Sequence, residues 1–146
     1  MKYLLDASAL VPLVTKAGKR LLAWATHENM ATTDLAVYEA CNSLWKLATQ
    51  LKTISLEDAL DTAATIKDLI DRKIIQVVTF ERLDLSRILR IANEEELTFY
   101  DSSYVVAAEN TEAALVTEDK TLRRKASKYV KTITYTSFKR KLEQTK

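Results

Sequence analysis

Short strand-like segments alternate with longer segments of helical period along the chain of 146 residues. The strand-like segments are 2–5, 31–33, 74–80, 114–117 and 132–135, and each is followed by a segment in which apolar residues recur at helical spacing. Neighbouring parallel strands need a crossover connection, which is usually a helix. The alternation therefore predicts an α/β protein whose parallel sheet carries helices on both faces.

Four acidic residues stand where strand-like segments end or helical segments begin. Asp6 and Asp119 each follow an apolar, strand-like run, whereas Glu39 and Asp101 lie near the starts of helical patterns. In an open α/β sheet, ligands bind outside the carboxyl ends of the strands. We therefore expect these four carboxylates to converge in one cleft, although each one alone could also be a helix N-cap or a solvated charge.

Carboxylates that share a cleft repel one another unless a cation lies among them. Ligation by oxygen alone favours a hard ion such as Mg²⁺ or Mn²⁺. One or two such ions would acidify a bound water, clamp a phosphate and stabilise the departing oxygen. The longer Glu39 side chain could ligate an ion or accept a proton from the attacking water. The acids therefore predict a metal-dependent hydrolase that acts on phosphodiesters.

Small hydroxyl side chains surround the acids in the sequence. They belong to Ser8, Ser102, Ser103 and Thr117. A hydroxyl that hydrogen-bonds a ligating carboxylate fixes its rotamer, and we expect this supporting role for Ser8 and Thr117. Helix capping is the other role open to such residues, and it is at least as well supported for Ser102 and Ser103.

Composition excludes several other classes of protein. The chain has one glycine, Gly18, whereas a dinucleotide-binding GxGxxG needs three and a P-loop needs two. One cysteine, Cys41, and one histidine, His27, serve zinc poorly and exclude an internal disulfide. No apolar run approaches the roughly 20 residues of a membrane span, and the N-terminus lacks signal-peptide features. We expect a single cytoplasmic domain, residues 1–146, with no membrane partner.

Charge is distributed unevenly, although the net formal charge is only +2. From Lys120 onward there are 10 Lys or Arg residues and one acid, Glu143, whereas the first 119 residues carry 12 basic and 19 acidic residues. Lys and Arg can hold phosphates while metal ions offset the carboxylates. An acidic body with a basic flank favours a nucleic-acid substrate, with a solvated helix end as the alternative.

The helical pattern at 35–51 predicts which face of that helix is buried. One apolar stripe carries Tyr38, Cys41, Trp45 and Ala48. We expect this stripe to face the core. Glu39 lies about 100° around the helix from Tyr38, on a side that it shares with Asn42 and Ser43. The acid is therefore predicted to lie among polar groups near the helix start.

Taken together, the motifs resemble those of the PIN domain, and within it the VapC-like toxins of VapBC toxin–antitoxin pairs. The matching segments are Tyr3-Leu4-Leu5-Asp6-Ala7-Ser8, Glu39-Ala40-Cys41-Asn42-Ser43-Leu44, Tyr100-Asp101-Ser102-Ser103-Tyr104-Val105-Val106-Ala107-Ala108 and Leu115-Val116-Thr117-Glu118-Asp119-Lys120-Thr121-Leu122. They are similar to the family's four acidic motifs and occur in the same order. The acids are separated by 33, 62 and 18 residues, which suits a compact member.

The resemblance implies a three-layer α/β/α sandwich around a central, mainly parallel sheet. It also implies an endoribonuclease dependent on Mg²⁺ or Mn²⁺, with Asp6 and Asp101 as principal metal ligands and Glu39 and Asp119 completing the acidic pocket. The implied partners are an RNA substrate, a second copy of the chain in a homodimer, and a VapB-like antitoxin that blocks the pocket. Glu118 departs from the family pattern and could either join the pocket or face solvent.

Two other readings compete with the nuclease. A catalytically silent PIN-fold module would bind RNA or protein without cutting it, and the retention of all four acids argues against that reading. A phospho-acceptor receiver module would carry adjacent acids after its first strand and a lysine at a late strand end. Here Ala7 follows Asp6, and Thr117 stands at the late strand end.

Overall fold

A computed structural model describes residues 1–17, 20–25 and 28–144 of the chain. The lone glycine Gly18 and the histidine His27 lie outside the described residues. They are the ends of segment 18–27, for which the sequence pattern predicts a short helix. The described centre of that segment, residues 20–25, is helical.

The central sheet has five strands in the described part of the chain, and all neighbouring pairs are parallel. The strands are β1 (Lys2–Leu5), β2 (Asn29–Thr33), β3 (Ile75–Val78), β4 (Ala114–Val116) and β5 (Thr132–Ile133). Their order across the sheet is β3-β2-β1-β4-β5. The α/β class and the parallel sheet that the sequence predicts are confirmed.

Helices connect the strands and cover both faces of the sheet. They are α1 (Ala7–Ala17), α2 (Arg20–Ala25), α3 (Asp34–Trp45), α4 (Leu56–Asp71), α5 (Leu85–Glu95), α6 (Phe99–Thr111), α7 (Lys120–Ala126) and α8 (Tyr135–Gln144). A π-helical turn, Lys46–Gln50, continues α3, and a 3₁₀ turn, Phe80–Arg82, precedes α5. Among these described segments, none is a helix long and apolar enough to cross a bilayer.

Two hydrophobic clusters, one on each face of the sheet, make the three layers. Strand β1 contributes to both because successive side chains of a strand point to opposite faces. Tyr3 and Leu5 pack with α1, α4 and α8, whereas Leu4 packs with α5, α6 and α7. Tyr3 also meets Phe138 of α8 edge to face, with ring centroids 4.8 Å apart. The α/β/α sandwich implied by the resemblance is therefore confirmed.

The order of the strands determines where a ligand site can form. From β1 the chain moves outward on one side through β2 and β3, and then returns to the other side of β1 to form β4 and β5. The crevice at such a reversal, outside the carboxyl ends of the strands, is the usual ligand site of an open α/β sheet. Asp6 follows β1 and Asp119 lies just beyond β4, so both stand at this crevice.

Helix α3 turns a different face to the core from the one that its pattern predicts. Tyr38 and Trp45 are 78% and 49% exposed, and Cys41 is only partly buried. The buried residues of α3 are Ala36, Ala40 and Leu44. Small side chains four residues apart let α3 approach α1 and β2 closely, which leaves the large rings outside the contact. The predicted stripe is therefore wrong for Tyr38 and Trp45, although Ala48 does pack against the core.

Candidate active site

The four predicted acids line one cavity of about 660 Å³ at the carboxyl ends of β1 and β4. Its lining residues are Asp6, Ala7, Ser8, Tyr38, Glu39, Asn42, Ser43, Asp101, Tyr104 and Asp119. They come from the junction between β1 and α1, from α1, α3 and α6, and from the loop after β4, so distant parts of the chain meet here. Ser8, Glu39 and Asp119 are exposed at its rim, and the cavity is therefore open to solvent.

Asp6 lies at the floor of the cavity, between the end of β1 and the start of α1. Its side chain is 5% exposed, and its backbone N–H donates to the carbonyl of Val116 at 3.2 Å. Its carboxylate Oδ1 accepts from the Ser8 hydroxyl at 2.6 Å and from the Ala9 N–H at 3.2 Å. Burial raises the pKa of Asp6 to about 6, and these hydrogen bonds only partly oppose that effect.

Two hydroxyls join the ends of β1 and β4. Besides donating to Asp6, the Ser8 hydroxyl accepts from the Glu118 N–H at 2.9 Å and lies 3.5 Å from the Thr117 hydroxyl. The fully buried Thr117 hydroxyl accepts from the Asp119 N–H at 3.1 Å. The predicted supporting residues Ser8 and Thr117 thus lie in one hydrogen-bond network with the backbone that carries Asp119.

Asp119 and Glu118 are neighbours in sequence but have different surroundings. Asp119 is the N-cap of α7, because its Oδ1 accepts from the Leu122 N–H at 3.0 Å, and its side chain lines the cavity. Glu118 accepts from the Tyr135 N–H at 2.7 Å and so satisfies a free amide at the start of α8. Glu118 does not line the cavity; it is exposed to solvent, and its carboxylate also makes this structural contact.

Asp101 stands in the first turn of α6, where the partial positive charge of the helix terminus favours a carboxylate. The hydroxyl of the N-cap residue Thr98 accepts from the Asp101 N–H at 3.0 Å. Burial raises the pKa of Asp101, and repulsion from Asp119 and then from Glu39 adds to the rise. The carboxylates of Asp119 and Glu39 therefore lie close enough to disfavour the ionisation of Asp101.

Glu39 reaches the cavity from the second turn of α3. Its Oε1 accepts a hydrogen bond of 2.5 Å from the hydroxyl of Tyr104, which lies on α6 and is only 2% exposed. Within the described residues, Glu39 has no other hydrogen bond or ion pair. Burial, followed by the contact with Glu39, raises the pKa of Tyr104, so this hydroxyl keeps its proton and acts as a donor.

The donor set fits a hard divalent cation. Every charged group that lines the cavity is a carboxylate, and oxygen ligands are those that Mg²⁺ and Mn²⁺ prefer. In residues 1–17, 20–25 and 28–144, no three carboxylate, imidazole or thiol groups converge closely enough to enclose one ion as they stand. Mg²⁺ often binds through one or two carboxylates, with water and substrate phosphate completing its shell, so the arrangement suits that mode.

Several lining residues have roles that the sequence does not predict. The sequence predicts that Asn42 and Ser43 share the polar side of α3 with Glu39. The structure adds that this side of the helix lines the cavity. Tyr38 was expected in the core but borders the cavity instead. The helical pattern of 101–110 predicts that Tyr104 faces inward, and its burial confirms this. The spacing gives no sign that its hydroxyl meets a carboxylate 65 residues away.

Some basic side chains after Lys120 donate hydrogen bonds within the fold, whereas others are exposed. Arg123 donates to the carbonyl of Thr117 at 2.9 Å, and Lys125 donates to that of Glu95 at 2.6 Å. Lys120 and Arg124 are exposed, and neither side chain has a hydrogen bond or ion pair within the described residues. Lys120 directly follows Asp119 in the sequence, although it does not line the cavity.

Comparison with known proteins agrees with this geometry. The sequence matches the PIN domain family over residues 3–128. Two similar proteins come from Pyrobaculum aerophilum. One, named Exonuclease VapC9, is 38% identical over 126 residues, 84% of each chain. The other, named Ribonuclease VapC3, is 30% identical over 131 residues, 86% of this chain and 95% of that protein.

A solved structure shows the same arrangement of the chain. The crystal structure of PAE2754 from Pyrobaculum aerophilum is similar with a TM-score of 0.75 at 32% sequence identity. The similarity covers 99% of this chain and 90% of that one. The family match includes all four acids. The similarity to each of the two named relatives covers more than two thirds of that relative's length. The chain therefore belongs to the PIN domain family, among proteins similar to VapC.

Proposed function

We propose that this protein is an endoribonuclease dependent on Mg²⁺ or Mn²⁺ and the toxin of a type II toxin–antitoxin pair. The observation that carries the proposal is the convergence of Asp6, Glu39, Asp101 and Asp119 around one open cavity. Burial, with repulsion from Asp119 and Glu39, disfavours the ionised form of Asp101 in the free protein, and a cation among the carboxylates would relieve that cost.

The roles of the residues follow from their positions. Bound Mg²⁺ or Mn²⁺ would supply an acidified water and neutralise charge on the phosphate. Asp6 and Asp101 are the principal ligands in this proposal, as the resemblance to the family implies. Asp119 completes the acidic pocket, and Glu39 either ligates or accepts a proton from the attacking water. Ser8 and Thr117 keep the Asp6 side of the site in place.

RNA is the proposed substrate, and the site's shape favours cutting within a strand. One relative's name contains ribonuclease and the other's exonuclease, so the names support nuclease chemistry and leave the mode of attack to experiment. The exposed rim at Ser8 and Glu39 would let a strand cross the cavity without presenting an end. In this proposal the exposed side chains of Lys120 and Arg124 hold backbone phosphates of the RNA.

The proposed partners are a second copy of the chain and a VapB-like antitoxin. Both proposals draw support from large apolar side chains on the surface. Leu85 and Leu89 of α5 are 49% and 59% exposed, and Leu56 and Leu60 of α4 are 65% and 59% exposed. Exposed apolar patches of this kind commonly mark protein interfaces. We also propose a cytoplasmic location, which the single cysteine supports.

A silent binding module is the second candidate. It is favoured by one observation: within the described residues, no three potential ligands enclose a single metal position as the side chains stand. Such a module would keep the fold and the basic flank while lacking cleavage. Metal binding by the purified protein separates the two candidates, because the silent module should bind Mn²⁺ weakly or not at all.

The deciding experiment uses a linear RNA and a circular RNA of the same sequence, with Mg²⁺, with Mn²⁺ or with EDTA. We expect both RNAs to be cut when metal is present, since an endonuclease needs no end. Asp6→Asn and Asp101→Asn should each reduce cleavage by at least about 100-fold, more than the 10–100-fold typical of residues that only orient ligands.

Different failures of this experiment have different meanings. Cleavage of the linear RNA alone would replace the proposed endonuclease with an exonuclease. Equal cleavage in EDTA, or by both variants, would remove the metal site from the proposal. No cleavage by folded wild-type protein that also binds Mn²⁺ weakly or not at all would support the silent module.

A further inference from the structure

We propose that Tyr104 is a positioning residue, whose buried hydroxyl holds the Glu39 carboxylate in the cavity and thereby strengthens metal binding. The inference rests on the function proposed above, because it concerns the same site. It adds to that site a neutral side chain from a different helix.

The contact between the two residues joins α6 to α3 across the cavity. The Tyr104 ring is buried in the cluster beneath α5, α6 and α7, while its hydroxyl comes within 2.5 Å of Glu39 Oε1. Both residues line the cavity. A hydrogen bond to an ionised acceptor is shorter and about twice as strong as one between neutral groups. The hydroxyl therefore places a directional constraint on an acid at the site.

Core packing alone does not explain a tyrosine at this position. A phenylalanine would fill the same space, and a buried hydroxyl without a partner costs about 1–3 kcal/mol. A backbone carbonyl would be enough to satisfy this hydroxyl, but its acceptor here is a carboxylate of the cavity, that of Glu39. Because the tyrosine donates through a neutral group, it restrains the acid without adding a positive charge that would compete with a metal ion.

Glu39 needs such a restraint more than the other acids do. Asp6 and Asp119 are short, and each accepts a hydrogen bond from a backbone N–H within its own turn. Asp101 is also short and stands in the first turn of a capped helix. Glu39 has one more rotatable bond, is exposed, and has Tyr104 as its one hydrogen-bond partner within the described residues. Fixing a glutamate side chain opposes its rotamer entropy, and Tyr104 supplies that ordering before a ligand arrives.

The test is a double-mutant cycle that measures Mn²⁺ affinity by titration calorimetry. Tyr104→Phe keeps the ring and removes the hydroxyl, and we expect it to weaken Mn²⁺ binding by about 10-fold, within the range for residues that orient metal ligands. Glu39→Gln should weaken binding by itself. In the Glu39→Gln background, the further change Tyr104→Phe should have little effect, because the tyrosine acts through the carboxylate.

Tyr135→Phe is the matched control. Tyr135 is also a buried tyrosine, 6% exposed, and its hydroxyl donates a single hydrogen bond, to the carbonyl of Pro12 at 3.4 Å. Its side chain does not line the cavity. Both phenylalanine variants should remain folded in urea unfolding, but Tyr104→Phe alone should lose Mn²⁺ affinity. If Tyr104→Phe folds poorly, Glu39→Asp serves instead, because the shorter acid moves away from the hydroxyl and should weaken Mn²⁺ binding similarly.

The outcomes separate this inference from the proposed function. Wild-type protein that binds Mn²⁺ and cuts RNA, together with an unchanged affinity in Tyr104→Phe, would overturn the positioning role and leave the nuclease intact. Additive losses in the double variant would also overturn it, since the tyrosine would then act independently of Glu39. Wild-type protein that binds no Mn²⁺ would contradict the proposed function itself.

Discussion

The two sides of the acidic cavity are built in different ways. On the strand side, Asp6 and Asp119 are joined through the hydroxyls of Ser8 and Thr117, close to the backbone of β1 and β4. On the helix side, Asp101 and Glu39 project from α6 and α3, and the contact between Tyr104 and Glu39 connects those helices. The strand side is held by a network of hydrogen bonds at the ends of two neighbouring strands, whereas the helix side depends on how two separate helices pack.

This difference has an energetic consequence. Asp6 is buried to 5% exposure, and its raised pKa shows that ionisation is unfavourable there in the free protein. Glu39 on the helix side and Asp119 on the strand side are both exposed, so water can solvate their charges, and the cost on the strand side comes from Asp6. The strand side should therefore carry more of the electrostatic cost of the site, and the helix side more of the conformational freedom. Stability measurements can test the first part of this comparison.

The largest effect should come from Asp6→Asn in metal-free protein. The folded-state pKa of Asp6, about 6, lies above its ordinary value of 3.8. Between about pH 4 and pH 6 the folded state retains a proton that the unfolded state has lost, so wild-type stability should fall as pH rises. Asparagine removes this decline. At pH 7 and in EDTA, the variant should be more stable by about 1–3 kcal/mol, at about 1.4 kcal/mol per pKa unit.

Urea unfolding at a series of pH values measures this difference, with Asp101→Asn as the comparison on the helix side. Asp101 also has a raised pKa but is less buried, so its variant should gain less stability at pH 7. Parallel stability curves for wild type and Asp6→Asn would show that the hydrogen bonds of Ser8 and Ala9 fully compensate the buried charge. A larger gain for Asp101→Asn would reverse the comparison between the two sides.

A smaller effect is expected when the strand network loses one hydroxyl. Ser8→Ala removes the donor to Asp6 and the acceptor for the Glu118 N–H. We expect cleavage to fall by about 10-fold, because Asp6 loses orientation, and stability to fall by about 1 kcal/mol. RNA cleavage assays and urea unfolding measure the two quantities.

Ser55→Ala is the control for this change. Ser55 caps α4 by accepting from the Asp58 N–H at 3.0 Å, and it does not line the cavity. Its loss should cost a similar amount of stability, about 1 kcal/mol, without changing cleavage. If both serine variants cut RNA as wild type does, Ser8 is a helix-start residue only, and the strand side needs no such support.

The sequence predicts the strand side of the site better than the helix side. The strand side is largely local: Asp6 with Ser8, and Thr117 with Asp119, each lie within two residues of one another. Their positions follow once β1 and β4 are recognised and paired. The parallel sheet is similarly accessible, because apolar runs alternate with helical periods. In these regions the features that matter lie close together along the chain, and the sequence therefore predicts them.

The helix side depends on how each helix is rotated about its own axis when it packs, and a periodic pattern in the sequence does not determine that rotation. In α3 the apolar stripe through Tyr38 and Trp45 is as regular as the true one through Ala36 and Ala40. Only the close approach of α1 and β2 selects the alanines, because large rings do not fit there. The same rotation sets the position of Glu39, so its contact with Tyr104 is a tertiary feature that spacing along the chain does not contain.

The smallest expected effect concerns Glu118, whose role the sequence leaves open. Its Oε1 accepts from the Tyr135 N–H at the start of α8, where a negative charge is favourable. Glu118→Gln keeps an acceptor oxygen but removes the charge, so stability should fall by about 0.3–1 kcal/mol while Mn²⁺ affinity and cleavage stay unchanged. Calorimetric titration decides between the two roles, since a metal ligand would lose affinity when neutralised. A lower Mn²⁺ affinity would place Glu118 with Asp119 in the acidic pocket and extend the strand side by a fifth carboxylate.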